Sequence, residues 1–179
     1  MSKTVCIISA SPRTNSNSDR LAKAFAQGAR EVGHTVQEVR LREHTYGFCQ
    51  GCLACTRTGK CVLQDDAGQI VQMMHDANVL VFATPIYYYE MSGQLKTMLD
   101  RANPLYGSDY KFQDVYMLST AAEEEAGTDF RAVQGLEGWI ACFERARLTG
   151  TVFAGGVNDP GQIEGHPAIE QALAMGRNV

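Results

Sequence analysis

Short apolar runs alternate with helical stripes from one end of the 179-residue chain to the other, and this alternation limits the fold more than any other feature. The runs, rich in β-branched residues, lie at 4–9, 35–41, 78–84, 114–120 and 149–155. Most are unbroken rather than alternating, which suits strands covered on both faces. Between them apolar residues recur at helical spacing. Leu21, Phe25, Ala29 and Val32 follow the capping candidates Asn17 and Ser18 and stop at Gly33. Ile70, Met73, Met74 and Ala77 form a second stripe, and Leu95, Met98, Leu99 and Ala102 a third. Phe130, Val133, Leu136, Ile140 and Phe143 make a fourth, and Ala168, Ile169, Ala172 and Leu173 a fifth after Pro167. The pattern predicts the α/β class, with a five-stranded parallel sheet and helices on both sides. Ligands of such sheets bind beyond the carboxyl ends of the strands, where strand order switches.

Nothing interrupts this pattern, so residues 1–179 read as one domain. A chain of this length hides roughly 70% of its unfolded surface and needs no metal or disulfide merely to fold. Its 16 basic residues against 20 acidic ones give a net charge of −4, and no run of Lys and Arg offers a basic face to nucleic acid. The longest apolar runs, 79–83 and 139–143, are far short of the roughly 20 residues that span a bilayer. The apolar stretch 5–8 is too soon interrupted for a signal peptide, so a cytoplasmic protein with reduced thiols is expected.

The loop after the first strand, Ser9-Ala10-Ser11-Pro12-Arg13-Thr14-Asn15-Ser16-Asn17-Ser18, leads straight into a helix. Small hydroxyls, unpaired N–H groups at the helix start and the helix dipole together suit a phosphate, with Arg13 adding charge at the rim. The same residues also serve as ordinary helix caps. The loop is neither Gly-x-Gly-x-x-Gly nor Gly-x-x-x-x-Gly-Lys-Ser/Thr, which argues against a dinucleotide Rossmann site and a P-loop. No cysteine has an arginine six residues on, so a Cys-x5-Arg phosphatase loop is absent too. The third strand runs into Thr84-Pro85-Ile86-Tyr87-Tyr88-Tyr89-Glu90-Met91-Ser92-Gly93. Tyr and Met there could lie against a planar ring system, or pack in the core or a subunit contact. Three consecutive tyrosines cannot all point inward. The fourth strand ends at Ser119-Thr120-Ala121-Ala122, small enough for a ligand to approach the backbone.

Cys49, Cys52, Cys55 and Cys61 follow the spacing Cys-x2-Cys-x2-Cys-x5-Cys. Soft sulfur ligands this close suit an iron–sulfur cluster or zinc; the alternative is that the same residues stay free or redox-active thiols. Cys6, in a strand, and Cys142, in an apolar stripe, read as buried core residues. His34, His44, His75 and His166 are scattered, with no His-x-x-x-His pair, and no Ser-x-Gly elbow marks a hydrolase. Glu123-Glu124-Glu125 reads as a solvated acidic turn, and residues 155–161 as a turn-rich loop.

Taken together, Ser-Pro-Arg-x-x-Ser-Asn-Ser at 11–18, Thr-Pro-Ile-Tyr at 84–87 and Gly-Gln-Leu-Lys-x-x-Leu-Asp-Arg at 93–101 resemble the flavodoxin-like NAD(P)H-dependent FMN reductase family. The resemblance covers nearly the whole chain. It implies a flavodoxin-like three-layer sandwich with strand order 2-1-3-4-5 and an FMN whose phosphate is held by Ser11, Arg13, Ser16, Asn17 and Ser18. Pro85, Ile86, Tyr87, Tyr88 and Tyr89 would flank the isoalloxazine, and Thr120 and Ala121 its other edge. It further implies NAD(P)H as electron donor, a small-molecule acceptor such as a quinone or free flavin, and a homodimer or homotetramer. The cysteine motif, with Val62-Leu63-x-Asp65-Asp66 after it, resembles that of iron–sulfur flavoproteins, where a [4Fe-4S] cluster exchanges electrons with FMN.

Overall fold

An unbroken apolar strand buries both faces only where both sides of its sheet are covered, and the computed structural model, which describes residues 1–179, has that arrangement. In chain order the elements are β1 (Thr4–Ser9), α1 (Asn17–Glu31), β2 (Thr35–Arg40), α2 (Cys55–Thr58), α3 (Ala67–Asp76), β3 (Val79–Tyr87), β4 (Glu90–Met91), α4 (Gly93–Arg101), β5 (Asp114–Thr120), α5 (Phe130–Ile140), β6 (Arg147–Ala154) and α6 (Ala168–Arg177). Val5 and Ile7 of β1 meet the layer of α1 and α6, whereas Cys6 and Ile8 meet the layer of α3, α4 and α5. Val79 and Val81 of β3 divide from Leu80 and Phe82 in the same way, as the two-residue period of a strand requires. Phe25 on one side and Phe82 on the other are wholly buried, each stabilising the fold by about 1.5–3 kcal/mol.

The long strands run parallel in the order β2-β1-β3-β5-β6, which is 2-1-3-4-5 once the two-residue β4 is set aside. The molecule is thus a flavodoxin-like three-layer sandwich. The chain moves outward from β1 to β2, then crosses to the other side for β3, so the switch point lies between the carboxyl ends of β1 and β3. β3 runs past residue 84 because β4 folds back antiparallel on its end, pairing Ile86 with Met91 and Tyr87 with Glu90. The edge strands β2 and β6 are only partly covered.

Two stripes depart from the sequence pattern. Val32 caps α1 and is 47% exposed, and Phe130, at the first position of α5, is 58% exposed. Phe143 lies past the end of α5 yet is buried in an aromatic cluster with Tyr110, Phe112 and Trp139. α1 and α6 approach through two glycines. A Cβ at Gly28 would sit 2.1 Å from the carbonyl oxygen of Leu173, and one at Gly176 would sit 2.1 Å from that of Phe25.

Candidate functional site

The loop after β1 turns at Asn15, whose φ of 52° is a left-handed conformation that Asn tolerates. Ser16 then caps α1, its hydroxyl oxygen accepting from the N–H of Asp19 at 3.1 Å. The first-turn N–H groups of Asn17 and Ser18 have no carbonyl one turn behind them inside the helix, so they point outward at the positive end of the dipole. Ser11, Ser16 and Ser18 are buried, with the hydroxyl oxygens of Ser16 and Ser18 3.3 Å apart. A buried hydroxyl is retained where it meets a polar partner, which makes this end of the site a donor-rich cradle.

Ser92 locks this cradle to the next loop. It is fully buried, its hydroxyl donating to the carbonyl of Ala10 at 3.2 Å while its N–H donates to Thr84 Oγ1 at 3.0 Å. The same hydroxyl oxygen caps α4 by accepting from Leu95 N at 3.4 Å. Between Thr84 and Ser92 the β3–β4 hairpin lifts the three tyrosines off the sheet, with Tyr88 and Tyr89 in its two-residue turn at φ values of 49° and 67°. All three rings are exposed, Tyr88 completely so. A tyrosine backbone in that region is strained, a cost tolerated most often at functional positions.

The third wall comes from the loops after β5 and β6. Ala121 N donates to Ala154 O at 3.0 Å and Val157 N to Ala121 O at 2.9 Å, so the two loops are stitched together. Arg13 Nη1 reaches across to the carbonyl of Asn158 at 2.8 Å. Asn17 donates to Asp159 O at 3.0 Å and accepts from the N–H groups of Gly161 and Ile163 at 3.1 and 3.3 Å.

These walls enclose one cleft of about 280 Å³ at the switch point. Ser11, Arg13, Ser16, Asn17 and Ser18 line its polar end; Pro85, Ile86, Tyr87 and Tyr88 line its apolar side; Thr120 and Ala121 close it. Tyr89, the second residue of the hairpin turn and next to the returning strand β4, does not line the cleft. Ala122, Val157, Asn158 and Pro160 line it as well. The last three belong to the 155–161 loop, whose only sequence signal was a Pro/Gly turn directly after a strand. Glu123, Glu124 and Glu125 are exposed beside this wall. The cradle suits FMN: donors and a helix N-terminus stand at one end for a phosphate, and apolar and aromatic side chains at the other for a ring system.

The cysteines gather elsewhere. Cys49, Cys52, Cys55 and Cys61 all line a second, mostly apolar cavity of about 440 Å³, walled by Leu99, Trp139 and Phe143. All are free thiols. N–H groups are aimed at three of the sulfurs: Gly51 N at Cys49 Sγ, 3.5 Å, Asn103 Nδ2 at Cys55 Sγ, 3.0 Å, and Arg101 Nη2 at Cys61 Sγ, 3.5 Å. No three Cys, His, Asp or Glu side chains converge closely enough in this arrangement to hold a single ion, so any metal centre here, zinc or cluster, requires the thiols to close in. Four thiols around one apolar cavity, three of them with N–H groups aimed at their sulfurs, are the soft donor type that either an iron–sulfur cluster or zinc takes. Asp65 beside them is held below the usual carboxylate range, chiefly by its hydrogen bonds from Arg101. Cys6 is buried as its strand position implies, and desolvation pushes its thiol up to about 12. Cys142 is not a core residue: it follows the end of α5, is exposed, and lines the thiol cavity. His166 lies just ahead of α6, its Nδ1 accepting from Ala168 N at 3.1 Å, and His75 bridges two aspartates.

The sequence profile of the NADPH-dependent FMN reductase family matches residues 4–156. An iron–sulfur flavoprotein of Methanosarcina thermophila is 26% identical over 170 residues, covering 94% of this chain and 85% of its own. One from Archaeoglobus fulgidus is 30% identical over 94 residues, or 52% of this chain, and the match spans only 43% of that relative's length. Among solved structures, the NAD(P)H:quinone oxidoreductase of Methanothermobacter marburgensis superposes with a TM-score of 0.74 over 99% of both chains at 20% identity, a likeness of fold. No helix is long and apolar enough to cross a membrane. With the profile running from the first strand through the last, the chain belongs to the NADPH-dependent FMN reductase family.

Proposed function

We propose that the protein binds FMN in the switch-point cleft and works as an NAD(P)H oxidoreductase that delivers electrons to a small acceptor such as a quinone or free flavin. The observation that carries this reading is the joining of a donor-rich cradle and an aromatic hairpin in one cleft, locked by Ser92. Bound FMN supplies the hydride-accepting chemistry. The chain supplies position. The hydroxyls of Ser11, Ser16 and Ser18 and the first-turn N–H groups of α1 receive the phosphate, with Arg13 adding charge at the rim. Asn17 acts one step removed, because both ends of its amide are already bonded to the 159–163 segment. Pro85, Ile86, Tyr87 and Tyr88 flank the ring system, and Thr120 and Ala121 let its far edge approach backbone. Tyr89 is left for a contact outside the cleft.

A second reading is favoured by the four thiols around one cavity: an electron relay in which a [4Fe-4S] cluster held by Cys49, Cys52, Cys55 and Cys61 exchanges electrons with the flavin. A cytoplasmic homodimer or homotetramer, each subunit a single unit over residues 1–179, accords with both readings. Anaerobic purification followed by spectroscopy tests them. An oxidised flavin spectrum that NAD(P)H bleaches and a quinone restores supports the oxidoreductase. Stoichiometric iron and acid-labile sulfide, reduced along with the flavin, support the relay. Protein that stays colourless when offered FMN contradicts both.

A further inference from the structure

Arg101 ends α4 in an unusual setting: its side chain is fully buried, and its Nε has no hydrogen-bond partner. Its fork grips Asp65 at 2.7 and 2.8 Å, and Nη1 also donates to the carbonyl of Gly47 at 2.8 Å. Asp65 in turn accepts from the N–H groups of Gly47 at 3.1 Å and Ala67 at 3.2 Å. One ion pair therefore clamps both ends of the segment that carries Cys49, Cys52, Cys55 and Cys61. Burying a cation is costly before pairing and the ion pair does little more than offset that cost, so what it supports is the geometry of the clamp rather than added stability. Two residues beyond the clamp, Asn103 aims Nδ2 at Cys55 Sγ, as Arg101 aims Nη2 at Cys61 Sγ.

We propose that Arg101 and Asn103 are the positioning residues of the thiol site, Arg101 closing the base of its segment and the two together holding N–H groups on the sulfurs of Cys61 and Cys55. The proposal rests on the reading of the four cysteines as cluster ligands. Hydrogen bonds to ligand sulfur stabilise the reduced, more negative state of an iron–sulfur centre and raise its potential. α4 also gives the two sites a common frame. Ser92 fixes its first turn to the flavin cleft and Arg101 fixes its last turn to the thiols, and its nine residues span about 13 Å at ~1.5 Å per residue.

The test compares the full-length protein with its Arg101→Lys and Asn103→Ala variants. Each is reconstituted anaerobically with ferrous iron and sulfide, and assayed for iron content, midpoint potential by redox titration, FMN affinity and amide hydrogen exchange in the iron-free form. FMN affinity is expected to stay unchanged in both variants, showing that each is folded. Asn103→Ala should keep its iron but shift the cluster's one-electron equilibrium about tenfold toward the oxidised state, a fall of about 59 mV. Arg101→Lys keeps the charge but loses the fork; it should lose at least half of its iron and exchange at least tenfold faster across residues 48–64. If Arg101→Lys does not fold, the Asn103→Ala potential decides. If the parent protein takes up no iron, the cluster reading fails by itself, and faster exchange in the iron-free variants, at 48–64 for Arg101→Lys and at 55–58 for Asn103→Ala, decides the positioning roles. An unchanged potential in Asn103→Ala, or unaltered exchange in either iron-free variant, overturns the proposal.

Discussion

A single amide at Asn17 makes three hydrogen bonds to a segment more than 140 residues away, and so fixes the wall that the cleft needs without spending its own donors on a ligand. His75 is the titrating counterpart of such a residue. Its Nδ1 lies 3.0 Å from Asp76 Oδ1 and its Nε2 2.9 Å from Asp109 Oδ1. The hydrogen bond to Asp76 raises its pKa, partial burial opposes this, and Asp109 adds to the rise. Asp76 is held at about 2, chiefly by hydrogen bonds from Gln72 and His75, and Asp109 is lowered chiefly by His75. The cationic ring therefore stabilises the fold fully below the ordinary histidine value near 6.5, and the contribution is lost as pH rises through the raised value. The carboxylate share is present above about 3.9 and fades as pH falls through about 2 for Asp76. An NMR titration should put His75 above ~6.5, and Asp109→Asn should bring it down; a value at or below 6.5 in the parent protein contradicts the bridge. Hydroxyls beside a helix start are legible as a cradle because their partners are local. The His75 bridge is not, since Asp109 lies 34 residues away.

Helices α1 and α6 meet at a distance that only glycine allows. With the built Cβ of Gly176 2.1 Å from Phe25 O and 3.0 Å from Ala29 N, the obstacles are backbone atoms that cannot rotate aside. Gly176→Ala should cost about 1–3 kcal/mol. Thermal melting should register roughly 2–4 °C per kcal/mol at this chain length. An unchanged melting temperature would show that the helices sit farther apart than described. Of the elements, β1, β3 and β5 were legible because unbroken apolar runs have few other ways to bury both faces. The β3–β4 hairpin was not, since Tyr88-Tyr89 carries none of the Asn-Gly chemistry that marks a two-residue turn. Cys142 departs from its sequence pattern for a related reason: the helical stripe continues through it in sequence, but α5 ends at Ile140 and the thiol is exposed.

At the scale of the whole molecule, the strand order brings together loops that the chain keeps apart. β1 and β3 are neighbours in the sheet although about 70 residues separate them, and their loops meet beyond the carboxyl ends. That meeting was legible from the alternation of strands and helices. The part of the third wall at Val157, Asn158 and Pro160 was not, because turn residues after the last strand carry no sign of which loop they face.

A cradle at the start of α1 that receives a phosphate, as proposed, must bind it more weakly once the cradle carries a fixed negative charge of its own. Ser16→Asp tests it most directly, because Asp caps a helix as well as Ser does and suits its positive end, so the fold should be kept while a negative charge enters the cradle. Flavin titrations of the parent protein and this variant should show FMN affinity falling at least tenfold, about 1.4 kcal/mol, and riboflavin, which lacks the phosphate, binding equally to both. Equal FMN affinities in the two proteins would show that the phosphate lies elsewhere.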